Sequence, residues 1–259
     1  MSANTFPPRA YENLEFLNSP EARSLRILSE YLEPWKRFTH LKVNSTVLFL
    51  GSSRIDPQDL KSPLRRYYRE AEELAYRIAR WAIPLRPKGK NFVICTGAGP
   101  GIMEAANRGA VRAGGKTIGM NISLACEQRP NPYVSPDLAF LFHYFFMRKL
   151  WLVSLAKAVV AFPGGFGTLD EFFEVMTLLQ TGKIAREDVT VVLYGESYWR
   201  KVLDFRALVR AGTITAEDAR IFTVISDPRK AFAFLKRKLA GQVKGANGEF
   251  PPPSLFEPR

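Results

Sequence analysis

Glu171 and Arg148 are the two residues whose types and placement could do chemistry. Glu171 closes the stretch KAVVAFPGGFGTLDE, residues 157–171. An apolar, β-branched run (Ala158 to Phe162) suits a buried strand, and it breaks at Pro163-Gly164-Gly165-Phe166-Gly167-Thr168. A helical pattern follows in Phe172, Val175, Met176 and Leu179. A strand feeding a glycine-rich turn into a helix N-terminus gathers free backbone N–H groups and the positive end of the helix dipole at one point, which suits an anion. Asp170 and Glu171 are acids that a plain phosphate cradle does not need. Arg148 falls near the start of a helix that precedes a strand; Glu171 falls in the first turn of a helix that follows one. Both positions lie at the carboxyl edge of a parallel sheet, so a fixed cation and a carboxylate can meet over the turn.

The elements that must bring them together can be read along the chain. Thr46 to Gly51 is a buried-type strand running into Gly51-Ser52-Ser53-Arg54, and a long helix begins at Ser62-Pro63 with Tyr67, Ala71, Leu74, Ala75, Ile78 and Ala82 at helical spacing. Phe92 to Thr96 is a strand entering Gly97-Ala98-Gly99-Pro100-Gly101, followed by a helix over 102–113 and a strand over 117–120. Helices around 145–155, 199–209 and 228–239 and strands over 189–194 and 222–225 complete the pattern. Alternating strands and helices imply one α/β domain, a doubly wound parallel sheet, Rossmann-like, with ligands at its carboxyl edge. The expected organisation is an N-terminal helical extension (1–45), the sheet domain (46–240) and a tail (241–259). In the extension, Ser19-Pro20 reads as a helix start, Leu25, Leu28 and Leu32 share one face, and Pro34 reads as the stop. That piece is too small to fold alone, so it should pack on the domain or on a second subunit.

Composition narrows the function. With 259 residues, 46% hydrophobic and 24% charged, the chain reads as an ordinary globular protein. The longest apolar run, 139–147, is short and interrupted by His143, so no membrane span is expected. The opening MSANTFPPRAYENLEF lacks the pattern of a signal peptide. Two cysteines, Cys95 and Cys126, point to reduced thiols and a cytoplasmic setting. The formal charge of +12, concentrated in 61–90 and 229–244, reads either as solvated helix faces or as attraction for anions.

Several common chemistries fail on their residues. Gly97-x-Gly99-x-Gly101 lacks the third glycine of a dinucleotide fingerprint, where Ile102 stands, and the next strand ends in Gly119-Met120-Asn121 without an acid for a ribose. Gly115-Lys116-Thr117 imitates the end of a Walker A loop, but Ala110 replaces its first glycine and a strand follows. His40 and His143, far apart, give no histidine-rich metal site and no basis for a Ser-His-Asp triad.

Taken together, the motifs resemble the LOG family, cytokinin riboside 5′-monophosphate phosphoribohydrolases that also carry the label "lysine decarboxylase-like". The resemblance rests on Pro163-Gly-Gly-x-Gly-Thr-x-x-Glu171, preceded by Arg148-Lys149, on the segment GAGPGIMEAANRG (97–109), and on Gly51-Ser52-Ser53. It covers roughly 46–235. It implies hydrolysis of the N-glycosidic bond of a nucleoside 5′-monophosphate, AMP or an N6-substituted AMP, to free base and ribose 5-phosphate, with no cofactor. It further implies that Glu171 stabilises the positive charge that builds on the ribose or orients the water. Arg148 and the N–H groups of Gly164 to Thr168 would then hold ribose and phosphate. By the same resemblance Gly51, Ser52, Ser53, Gly97, Gly99, Gly101 and Lys149 line the site, Glu104 and Asn107 bind sugar or phosphate, and Met103 packs on the base. A homodimer or larger homo-oligomer, with sites near the subunit interface, belongs to the same implication. Phe145-Phe146-Met147 before Arg148 departs from a Met-x-x-Arg-Lys pattern in the family. No pyridoxal-phosphate lysine context accompanies the decarboxylase label.

Plainer readings stand beside these. Thr168-Leu169-Asp170-Glu171 fits S/T-x-x-E, making Glu171 the partner in a capping box. Arg148 could be a surface charge, and Phe145, Phe146 and Trp151 core or dimer contacts. Two other function classes compete: a non-catalytic nucleotide or molybdenum-cofactor carrier of the same fold, which would not need the carboxylate, and a DNA-binding protein. The second predicts strongly salt-dependent binding to DNA, whose absence would remove it, and nucleic acid is not expected as a partner.

Overall fold

In the computed structural model, which describes residues 7–88, 91–124 and 129–242, seven parallel strands form one sheet. They are β1 (Ser45–Leu50), β2 (Phe92–Thr96), β3 (Thr117–Ile122), β4 (Ala139–Phe142), β5 (Ala156–Ala161), β6 (Thr190–Tyr194) and β7 (Phe222–Ile225). Their order is β4-β3-β2-β1-β5-β6-β7. The α/β fold expected from the alternating pattern is therefore present. Cys126 and the tail beyond 242 lie outside the described residues.

Burial on both faces explains the strand sequences. Along β1, Val47 and Phe49 face one core while Leu48 and Leu50 face the other, so no polar face interrupts the run. The first core is closed by α3 (Arg66–Ala82), α4 (Ile102–Arg112) and α9 (Pro228–Gln242). The second is closed chiefly by α2 (Arg23–His40), α5 (Phe145–Ser154) and α6 (Phe166–Gln180). Two short helices, α7 (Glu196–Val202) and α8 (Phe205–Arg210), follow β6, and α1 (Leu14–Asn18) precedes α2.

Strand order reverses direction between β1 and β5, so the chain leaves these neighbours toward opposite faces. The resulting crevice at their carboxyl ends is where such sheets hold ligands. Gly51 follows β1 and Pro163 follows β5, which puts two of the three glycine-rich turns at this point.

Three local expectations are corrected. The first long helix starts at Arg23, not at Ser19-Pro20, and does not stop at Pro34 but runs on to His40. Proline removes the N–H that would bond the carbonyl four residues back, that of Glu30. Trp151 Nε1 donates to that carbonyl at 3.0 Å, so the helix continues without an orphaned group. The inward face of α2 is Ile27, Tyr31, Trp35 and Phe38, whereas Leu25, Leu28 and Leu32 face outward. The helix expected over 199–209 is two helices, because Leu203 is extended and Asp204 caps the second, its Oδ1 accepting from Ala207 N–H at 3.0 Å.

Candidate active site

The three turns are bonded to one another. Ser52 N–H donates to the Pro163 carbonyl at 3.0 Å, and the Ser52 carbonyl accepts from Ile102 N–H at 3.1 Å. Gly101 makes that closeness possible: its φ is +69°, and a Cβ there would lie 2.3 Å from the Ser52 carbonyl oxygen. Gly51 likewise packs against Ile102, and Gly99 is buried in the same turn. Ser53 is exposed beside them, and Ser52 Oγ accepts from Arg54 N–H.

The third turn has two kinds of glycine. A Cβ on Gly164 would fall 2.1 Å from Thr168 Oγ1, so this residue is fixed by packing within the turn. Gly165 and Gly167 meet nothing within 4 Å and are exposed. The protein's own packing does not explain them, whereas close approach of a ligand to the backbone would. Pro163 is buried below, Tyr198 Oη donates to the Gly164 carbonyl at 2.6 Å, and Phe166 stands 92% exposed at the mouth.

The capping-box reading does not survive. The helix begins at Phe166 with Gly165 as its N-cap residue, so Thr168 is the third helical residue and not the cap. Glu171 therefore sits in the second turn, three positions beyond the reach of a box, and the first turn carries no acid. A first turn free of carboxylates leaves the dipole open to an outside anion.

Glu171 points instead at Arg148. Nη2 of Arg148 donates to Glu171 Oε1 at 2.5 Å, with the side chains 12% and 15% exposed. Burial pushes the Glu171 carboxyl up to about 7, against the pull of the Arg148 charge. The guanidinium lies under the Phe145 ring, 5.3 Å from its centroid, and its Nη1 is 4.0 Å from where a Cβ on Gly97 would be. Met103 Sδ is 3.0 Å from the same point, so Met103, Gly97, Arg148 and Glu171 adjoin.

Other expected site residues stand further off. Lys149 Nζ is held between Asp170 (3.0 Å) and Glu174 (3.3 Å). Partial burial works against its charge, yet these acids raise its pKa. Glu104 accepts from Tyr68 Oη at 2.8 Å. Asn107 is fully buried, and its Oδ1 accepts from Thr96 Oγ1 and Asn131 Nδ2 at 2.8 and 3.0 Å. This places Asn107 behind the second turn, where its Oδ1 ties Thr96 to Asn131, while its Nδ2 has no hydrogen-bond partner.

Asn131 was not anticipated. Its N–H and Nδ2 donate to the Ala98 carbonyl, and Nδ2 also reaches that of Gly99 at 3.1 Å, turning both carbonyls inward. Ala98 is thereby held at φ +64°, a costly region for alanine. Between Pro130 and Pro132, Asn131 reads only as loop. Among the described residues no three His, Cys, Asp or Glu side chains gather as a metal site, and no helix is long and apolar enough to cross a membrane.

Comparison with known proteins identifies the family and the fold. The model of a family described as "Possible lysine decarboxylase" matches residues 103–235. The chain is similar to the cytokinin riboside 5′-monophosphate phosphoribohydrolase of Rhodococcoides fascians, 28% identical over 140 residues, 54% of this chain and 66% of that protein. It is also similar to the pyrimidine/purine nucleotide 5′-monophosphate nucleosidase of Escherichia coli K12, 30% identical over 115 residues, 39% of this chain. The match spans only 24% of that relative's length. Among solved structures, a structural-genomics target aligns with TM-score 0.51 at 21% identity, over 74% of this chain and 99% of its own. The Moco carrier protein of Chlamydomonas reinhardtii aligns with TM-score 0.49 at 23% identity, over 76% and 99%. At these identities the structural likeness is one of fold.

Proposed function

The chain belongs to the family described as possible lysine decarboxylase, the LOG type, and on that premise we propose that it is a nucleoside 5′-monophosphate phosphoribohydrolase. The observation that carries the reading is the Arg148–Glu171 pair, set beside two exposed glycines whose backbone is open to a ligand. The 5′-phosphate binds at the acid-free first turn of α6, beside Gly165 and Gly167. The ribose then lies toward Glu171, and the base toward Gly97 and Met103. As the base departs, positive charge builds on the ribose, and the ionised Glu171 stabilises it and orients the attacking water. Water adds to C1′, the C1′–N bond breaks, and its electron pair and a proton leave with the base. Arg148 keeps the carboxylate aimed and ionised near neutral pH.

The decarboxylase label is not supported by the residues. Pyridoxal-phosphate chemistry needs a lysine free to form an imine at the phosphate site. Lys149 neighbours the site, but its ammonium is bound to Asp170 and Glu174 and its pKa is raised.

The working form in this reading is a homo-oligomer in the cytoplasm. Support comes from the outward face of α2 and α5, where Leu25, Leu28, Leu32, Phe145 and Phe146 are exposed around a hollow lined by Ile27, Tyr31 and Met147. Sedimentation of the purified chain tests it. For the activity, purine and pyrimidine monophosphates, AMP and N6-substituted AMP among them, are assayed for released base and ribose 5-phosphate. If none is cleaved, the enzyme reading fails, and binding without cleavage would leave a carrier.

A further inference from the structure

The N-terminal helix α2 lies outside the 103–235 stretch that defines the family, yet one of its residues grips the helix bearing Arg148. Glu30 Oε1 accepts from the N–H of His143 at 2.7 Å, and Oε2 accepts from that of Tyr144 at 3.2 Å. Tyr144 is the N-cap residue of α5, and its side chain makes no capping bond. In a capping box the third helical residue bends back to serve this N–H; here that residue is Met147, which has no oxygen to offer. Glu30 supplies the missing carboxylate from another helix, at the end where the helix dipole favours negative charge.

The grip has a second point. The Glu30 carbonyl, freed by Pro34, accepts from Trp151 Nε1 at 3.0 Å. One residue of α2 therefore binds both the start of α5 and a side chain nearly two turns further on. Tyr31 and Phe38 pack their rings on Trp151, with centroids 5.9 and 5.5 Å away. Tyr144, held at its N–H by Glu30, receives the Arg148 N–H at its carbonyl at 3.1 Å. Arg148 lies one turn into α5, so the placement of that first turn decides whether Nη2 meets Glu171.

We propose that Glu30 is a positioning residue for Arg148, making the site dependent on the N-terminal extension. The proposal rests on the Arg148–Glu171 pair being the working pair, and its primary readout does not require turnover. Released from Glu30, the start of α5 frays, Arg148 spends less time on Glu171, and the carboxyl loses the charge that lowers its pKa.

The experiment compares the full chain with Glu30→Ala, Glu30→Gln and, as a control on the same helix, Glu33→Ala, whose carboxylate pairs with Arg37. Titration of the Glu171 carboxyl is followed by carbon NMR, alongside hydrolysis of whichever monophosphate the wild type cleaves. Glu30→Ala should move the Glu171 midpoint to higher pH and lower kcat/KM about tenfold at neutral pH, the scale of one hydrogen bond to a charged group. Glu30→Gln, which keeps one acceptor, should fall between, and Glu33→Ala should match the wild type. Should alanine prevent folding, the glutamine variant carries the same comparison. A Glu171 midpoint unmoved in a folded Glu30 variant overturns the proposal; a moved midpoint in a protein that cleaves no monophosphate upholds it while the assigned activity fails.

Discussion

Arg148 Nη2 and Glu171 Oε1 lie 2.5 Å apart although 23 positions separate the residues in the chain. The contact joins α5 to α6 at the carboxyl edge, beside the switch between β1 and β5. A largely buried ion pair gains little net stability, since desolvation of both charges offsets their attraction. Its worth lies in keeping a carboxylate at a fixed point under tension between burial and a counter-charge.

Replacing Glu171 by glutamine preserves an acceptor for Arg148 and removes the charge. With Glu171 as the group that stabilises the ribose cation, Glu171→Gln lowers kcat by about 10²- to 10⁴-fold. Thermal melting should show the variant folded. Released base is the measurement, and a variant within a few-fold of wild type would remove Glu171 from the chemistry.

The pH profile follows from the same group. Burial raises the carboxyl from 4.5 to about 7, so kcat/KM should rise with pH through an acid limb near 7. In Arg148→Ala the limb should move to higher pH, since the opposing charge is gone. Stability runs the other way. A raised acid favours the fold below its unfolded pKa, and that contribution is lost as pH rises from about 4.5 through 7. Across this window wild type should lose on the order of 3 kcal/mol relative to Glu171→Gln. Denaturant melts at several pH values check the slope; a difference independent of pH would contradict the raised pKa.

Gly164 and Gly165, adjacent in sequence, should respond oppositely to alanine. At Gly164 a Cβ collides with Thr168 Oγ1, so Gly164→Ala should cost more than about 2 kcal/mol. At Gly165 the space is open and φ is −90°, so Gly165→Ala should change stability by less than about 1 kcal/mol. Its methyl group would stand where the phosphate approaches. Affinity for ribose 5-phosphate, measured by calorimetry, should drop about tenfold or more, equivalent to roughly 1.4 kcal/mol. Unchanged affinity would place the phosphate elsewhere.

What the sequence disclosed follows from where each cause lies. β2, with Phe92-Val93-Ile94-Cys95 buried on both faces, and the glycine turns carry their causes within a few residues, so both were legible. The Arg148–Glu171 meeting was legible because helix direction in a parallel sheet fixes which end faces the edge. Pro34 misled because its remedy, Trp151, is distant in sequence. Thr168-x-x-Glu171 misled because the capping-box pattern is blind to a start three residues earlier, at Phe166 with Gly165 as the N-cap residue. Asn131 and Glu30 act on backbone groups of other segments, and a backbone acceptor leaves no signature in residue type.

The remedy for Pro34 can be measured as a coupling. Trp151→Phe keeps the ring packing and leaves the Glu30 carbonyl without its donor, because Pro34 offers no N–H. The expected cost is about 1–3 kcal/mol, the penalty of a buried acceptor left unsatisfied. In Pro34→Ala the new N–H can close the ordinary helical bond to that carbonyl. Trp151→Phe made in this background should therefore cost less, by about 1 kcal/mol. The double-mutant cycle in denaturant isolates this coupling, which should exceed about 0.5 kcal/mol for groups sharing one acceptor. Additive costs would mean that the indole N–H does not compensate the proline, and that α2 continues past Pro34 on apolar packing alone.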